Sequence, residues 1–245
     1  NALGKSHDVK ISTMLPPGWE RQVNDFELEA IKKMDDKERI NIIIDLPHNW
    51  PLYLNKKKNI GFLVFEGDKI PLSWVDNIKD ERVNQVWVPS SYVYHAIQNT
   101  LEDEQYIIQE IMKKVKIVPH GFDPKIFKPE NIQNPIFTFL MNKGFRHELD
   151  RGGVQHGIKA FLQEFKKGEA RLLIKLNPAY AMPPEQLSQI IMKYWKETKR
   201  TDEMPEIIGM YETLSPSEIN RVYNNSDVFL NPSEAESFSL PCIEA

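Results

Sequence analysis

Short apolar runs rich in β-branched residues recur along this chain, and stretches with helical spacing separate many of them. That alternation constrains the fold more than any other feature. Strands are expected at Val9–Thr13, Ile40–Ile44, Ile60–Phe65, Val86–Val88, Val115–Val118, Ile136–Leu140, Leu172–Lys175, Ile207–Met210 and Val228–Leu230. Several are continuously apolar rather than alternating, the pattern of a parallel strand covered on both faces. Helices are expected from Asp25 to Met34, from Ser90 or Ser91 to Thr100, and over Val154–Phe165, where Ile158, Phe161, Leu162 and Phe165 share one face. Ser215-Pro216-Ser217-Glu218 reads as a capping box with proline at the first helical position. The helix it opens carries Ile219, Val222 and Tyr223 inward. Strands alternating with helices call for open α/β sheets with mostly parallel strands. The polar, proline-bearing stretch Pro129–Pro135 is the expected boundary, dividing residues 1–130 from residues 131–245.

Composition removes several classes of function. Hydrophobic residues at 41% and charged residues at 27% describe a folded soluble protein rather than a disordered one. The longest apolar runs, Ile60–Phe65 and Ile42–Ile44, fall far short of a membrane span. A net charge of −4 offers no overall basic field for nucleic acid. Lys32–Lys33, Lys56–Lys58 and Lys113–Lys116 read as solvated faces, with weak peripheral contact to an anionic membrane or acceptor as the alternative. A single cysteine, Cys242, excludes an internal disulfide and suits a reducing compartment, so a cytoplasmic location is expected.

The strongest functional signal is Asn231-Pro232-Ser233-Glu234-Ala235-Glu236-Ser237-Phe238-Ser239-Leu240-Pro241-Cys242-Ile243-Glu244-Ala245. A strand ends at Leu230, a loop of small polar residues follows, and a helix is expected from Leu240 or Pro241. Proline fits a first turn, and the free N–H groups of such a turn suit a phosphate. Glu236 sits in the loop, and Glu244 about one turn into the helix. One carboxylate can then reach a sugar hydroxyl and the other a ribose hydroxyl, with a diphosphate between them. The plain alternative is a solvated acidic loop ahead of a helix.

The run from Leu214 through Ala245 resembles the signature of family-4 retaining glycosyltransferases: a helix, a DVFLxPS strand, then E-x-F-x-L-x-x-x-E-A. The resemblance implies a GT-B fold, in which two Rossmann-like α/β domains with mostly parallel sheets face across a cleft. It implies a hexose moved from a UDP- or GDP-linked donor to an acceptor with retention of configuration, by same-face attack, without metal or cofactor. It also implies that Glu236 contacts the donor sugar, Glu244 the nucleotide ribose, and the backbone around Ser237, Phe238, Ser239 and Leu240 the diphosphate. The family places glycine on both sides of the phenylalanine. Ser237 and Ser239 stand there in this chain, small enough for close approach but less suited to a positive backbone angle.

A departing diphosphate needs positive charge where its negative charge develops. Arg146 and Arg151, ahead of the Val154–Phe165 helix, resemble the family's Arg and Lys-Gly at the same spacing. Gly153 is one residue more than the common form has, and Lys143 competes for the role. Exposed loop arginines are the alternative. Lys175, closing its apolar strand, is a further candidate, or else a solvated strand end. In the first half, Val86–Ser91 and Lys116–Asp123 resemble the family's D-x-h-x-x-P-S and h-x-V-I-P-N/H-G-V-D segments. They place His120 and Gly121 on a turn beside the cleft, as turn formers or as ligand contacts. His48 follows the Ile40–Ile44 strand as a loop histidine or a donor contact. The Glu66–Pro71 turn resembles an acidic E-x-D-x-I/V-P turn found in some relatives, and is a candidate to face the acceptor. The family's opening glycine-rich loop is missing and its later elements would follow Ala245, so a truncated chain is expected. Glycan, lipid-linked and protein acceptors fit these segments equally. The rivals are a non-catalytic nucleotide-sugar-binding or partner subunit of the same fold and a sugar-nucleotide epimerase, for which the sequence offers no acid/base set.

Overall fold

A computed structural model describes residues 40–55, 57–103, 108–145 and 150–245. The expected strand Val9–Thr13, the expected helix from Asp25 to Met34, and Arg146 lie outside them. The described residues form two parallel sheets of four strands each.

The first sheet contains β1 (Ile40–Ile44), β2 (Lys58–Phe62), β3 (Val83–Val88) and β4 (Val115–Ile117), hydrogen-bonded in that order. Short helices α1 (Val75–Lys79), α2 (Ser91–Asp103) and α3 (Ile108–Lys114) connect them. Val86, Val88, Ile97 and Leu101 bury the interface between β3 and α2. Trp50, carried on a 3-10 turn over Pro47–Leu52, is fully buried, and its indole N–H donates to the Asp45 carbonyl at 2.8 Å. It lies flat on β2, where a Cβ at Gly61 would stand 2.3 Å from the ring. Only glycine tolerates that approach.

The second sheet runs in the order β7-β6-β5-β8, from β5 (Thr138–Phe145), β6 (Arg171–Ala181), β7 (Glu206–Met210) and β8 (Val228–Phe229). Its helices are α4 (Val154–Glu164), α5 (Pro184–Glu197), α6 (Pro216–Asn224) and α7 (Leu240–Glu244). Asp227 ties β8 to the centre of the sheet. Its carboxylate accepts from the Thr138 N–H at 2.8 Å, and its own N–H donates to the Thr138 carbonyl at 2.8 Å.

The expected strands among the described residues are all present, Ile40–Ile44 with the expected bounds and the others with shifted ends. β5 runs on through the polar residues Asn142 and Lys143 because β6 continues the ladder beside them. β6 likewise reaches Ala181, so Lys175 stands inside the strand rather than at its end. Helix α5 was not among the expected helices, although Leu187, Ile191 and Tyr194 mark its buried face at helical spacing. The α6 capping box is as expected: the Ser215 hydroxyl accepts from Glu218 N–H, and the Glu218 carboxylate accepts from Ser215 N–H at 2.7 Å.

Between Ile117 and Thr138 the chain crosses from one sheet to the other. Two asparagines one turn apart on α6 fasten that crossing. Asn220 accepts from Lys128 N–H at 3.0 Å and Asn224 donates to the Lys128 carbonyl at 3.0 Å. Asn224 also accepts from Glu130 N–H, and Asn220 donates to the Glu130 carboxylate at 3.2 Å.

Candidate active site

The carboxyl ends of both sheets meet at the loop that follows β8. Parallel sheets build binding sites at that edge, because loops there can vary without disturbing the ladder. Glu236 lies in this loop, and its carboxylate accepts from the ammonium of Lys143, which sits near the end of β5 and is only 8% exposed. Ser233 donates a second bond to the same carboxylate oxygen at 2.8 Å. Burial alone pushes the Glu236 carboxyl up. The bonds from Lys143 and Ser233, with the charges of Lys143 and Arg151, outweigh it and hold the group below the usual carboxylate range.

Two loops press together to form this corner. Gly153, at the start of α4, has φ of +70°, and a Cβ there would stand 2.0 Å from the Pro232 carbonyl oxygen. Both facts demand glycine. The Glu234 N–H donates to the Arg151 carbonyl at 3.0 Å, a second seam between the same loops. Asp150 closes the first turn of α4 by accepting from Val154 N–H at 3.0 Å and Gln155 N–H at 2.7 Å. Burial nonetheless raises the Asp150 carboxyl, outweighing those two bonds.

Glu244, near the end of α7, is held differently. The Tyr223 phenol donates to its carboxylate at 3.0 Å and accepts from the Asn142 amide at 3.0 Å. Tyr223 is buried on α6 between Phe127, at a ring separation of 6.2 Å, and Phe229, at 5.9 Å. Burial drives its ionisation far above the ordinary phenol value, so it remains a donor.

Three residues that follow strands of the first sheet reach across to this corner. The Ser90 hydroxyl caps α2 by accepting from Val93 N–H, and the same hydroxyl donates to the Ser237 carbonyl at 2.6 Å. His120 meets Phe238 edge-on, with centroids 5.3 Å apart, and meets Phe62 at 5.3 Å on its other side. Burial pushes its imidazole down, toward the neutral form. Glu66 pairs with Arg151 at 3.0 Å, although the Arg151 side chain is 57% exposed. Ser239 adopts φ of 60° and ψ of 73°, the left-handed backbone that glycine adopts most readily. Its hydroxyl lies 3.1 Å from the Cys242 thiol, and the exposed Leu240 begins α7 beside it.

The structure thus brings Glu236, Arg151, Ser237, Phe238, Ser239 and His120 to one corner, with Glu244 anchored beside α6. It leaves others apart. His48 is exposed, with its ring 5.9 Å from that of Trp74. Lys175 is buried and donates to the Leu176 carbonyl at 2.7 Å, and burial lowers its pKa. Gly121 is exposed in open space that any side chain could fill. In the sequence Lys143 is no more than a competitor to the arginines, and Asn142 carries no signal of its own. Tyr223 reads there as a core residue. Helical spacing pointed Tyr223 inward, but nothing in the pattern linked its hydroxyl to Glu244.

Two parallel sheets joined by a crossing segment, carboxyl ends facing, define the GT-B class of fold. The solved structures that share it include the crystal structure of TarM, with a TM-score of 0.56 at 11% identity, covering 84% of this chain and 38% of TarM. A mutant of S. aureus TarM in complex with fondaparinux, alpha-GlcNAc-glycerol and UDP matches with a TM-score of 0.57 at 14% identity, over 84% of this chain and 39% of that one. The chain therefore spans about two fifths of the length of these neighbours. No protein-family model matches the sequence, and no curated protein sequence matches it either. No helix among the described residues is long and apolar enough to cross a membrane.

Proposed function

We propose that this chain transfers a sugar from a nucleoside-diphosphate donor to an acceptor with retention of configuration, residues 1–130 and 131–245 forming the two walls of the cleft. The observation that carries this is the Glu236 carboxylate seated on Lys143 and within the field of Arg151 where the two sheets meet. In this proposal Glu236 accepts from a donor-sugar hydroxyl, and Glu244 accepts from the ribose. Lys143, Arg151 and Arg146 carry the charge of the departing diphosphate, with the backbone amides from Ser237 to Leu240 beside them. The anomeric carbon–oxygen bond breaks with its electron pair on the diphosphate. The acceptor hydroxyl attacks the same face, and its proton passes to the leaving phosphate oxygen. Contacts from Ser90, His120 and Glu66 join the two walls at this corner, and closure over a bound donor limits its hydrolysis. The UDP and the GlcNAc-glycerol in the complex of S. aureus TarM support a nucleotide-sugar donor and a glycan acceptor here.

The test is to titrate the protein with UDP and GDP, then supply UDP- and GDP-sugars and follow release of free nucleoside diphosphate. Binding followed by release, lost in Glu236→Ala, is the expected result. Failure to bind either nucleotide sinks the proposal.

A further inference from the structure

Resting on the reading of Glu244 as the ribose carboxylate, we propose that Tyr223, itself aimed by Asn142, is the positioning residue for that carboxylate. By setting Glu244 for a ribose diol, it makes this a site for ribonucleoside rather than deoxyribonucleoside diphosphates.

Glu244 lies on the exposed turn of α7 and projects from it on a long side chain. A place on a helix does not by itself fix the direction of a glutamate side chain, which has three rotatable bonds of its own. The direction comes from elsewhere. Asn142 is part of β5, the strand paired on both sides at the middle of the second sheet. Its amide donates to the Tyr223 hydroxyl at 3.0 Å, which leaves the phenol proton to point to Glu244, also at 3.0 Å. The rings of Phe127 and Phe229 stop the tyrosine from turning away. The central strand of the sheet is therefore connected to the Glu244 carboxylate through one buried phenol.

One bond from Tyr223 occupies one side of one carboxylate oxygen. The other oxygen stays available for a vicinal pair of hydroxyls. A carboxylate already aimed loses less freedom when a diol arrives, and that gain is realised only by ligands that carry the diol.

The experiment measures dissociation constants of UDP and 2′,3′-dideoxy-UDP by calorimetry for the wild-type protein, Tyr223→Phe and Asn142→Ala, with the guanosine pair substituted if GDP is the tighter ligand. Tyr223→Phe keeps the ring and its packing. It should weaken the ribonucleotide about tenfold, equivalent to about 1.4 kcal/mol, and leave the dideoxy ligand unchanged. Asn142→Ala should act in the same direction with a smaller ratio. Equal weakening of both ligands, or no change in either, overturns the positioning role. A wild-type protein that binds both ligands alike overturns the link between Glu244 and the diol while the rest of the donor site stands. A wild-type protein that binds neither overturns this inference together with the proposed function.

Discussion

The carboxylate of Glu236 meets a buried ammonium, whereas that of Glu244 meets a buried phenol. Both residues lie in one loop-and-helix segment, and both are anchored to neighbouring positions of β5, at Lys143 and Asn142. Successive residues of a strand point to opposite faces, so a single strand sends its two anchors in different directions. The difference in anchor is a difference in what each site tolerates. An ammonium compensates charge and holds over a range of directions. A phenol compensates no charge and holds by direction alone. The Glu236 side should therefore fail when charge is altered, and the Glu244 side when geometry is altered.

Removing the ammonium tests the first half of that contrast most severely. Lys143→Met leaves Glu236 partly buried without its cation and takes charge from the proposed leaving group. Sugar transfer should fall about 10²–10³-fold, with the melting temperature lowered as well. Ribose preference, measured with the dideoxy ligand, should persist; its loss in this variant would merge the two anchors into one. Gly153→Ala comes next. A methyl group forced against the Pro232 carbonyl, at a positive φ, should cost about 2–4 kcal/mol of stability in urea titrations. The separation of the two loops should disturb the Glu236 corner before it disturbs Glu244.

Acidity separates the anchors without a mutation. The Glu236 carboxyl is lowered in the folded protein, so its contribution is present above the unfolded carboxylate value. It is lost as pH falls through the folded one. His120 is lowered too, but for a base the loss falls in a higher window. Stability drops as pH falls from the ordinary imidazole value toward the folded value, because only the unfolded chain takes up the proton there. Equilibrium unfolding followed from pH 8 downward should show the His120 loss first, and His120→Phe should remove that step while keeping the ring contacts. The smallest effect is expected at Ser239. Glycine there relieves the left-handed backbone, and Ser239→Gly should raise stability by no more than about 1 kcal/mol. A loss of stability would mean that the hydroxyl contact with Cys242 outweighs the strain.

The parallel architecture was legible because buried strands leave continuous apolar runs; even two-residue β8 stood out in Asp227-Val228-Phe229-Leu230. The capping box of α6 was legible because its signals are four consecutive residues. The polar end of β5 was not, because neighbouring ladder bonds rather than local preference extend a strand through Asn142 and Lys143. The same limit applies to the site. Glu236 and Glu244 declare themselves by spacing, but their partners do not. Lys143 precedes Glu236 by 93 residues and Tyr223 follows Asn142 by 81, distances over which only the finished fold decides contact. Ser239 shows a subtler gap. The sequence pattern located a glycine-like position, and the backbone there is indeed left-handed, with serine bearing it.

The asparagine pair on α6 gives the molecule a mechanical asymmetry. Because Lys128 and Glu130 are stapled to that helix, they travel with the second sheet as cargo. Any swing of one sheet against the other must then be taken up on the near side of the staple, where Pro119 and residues 121–125 are exposed. That stretch includes the turn carrying His120, whose ring touches Phe238. A hinge in that stretch would lie within a few residues of the ring contact that such a swing would break.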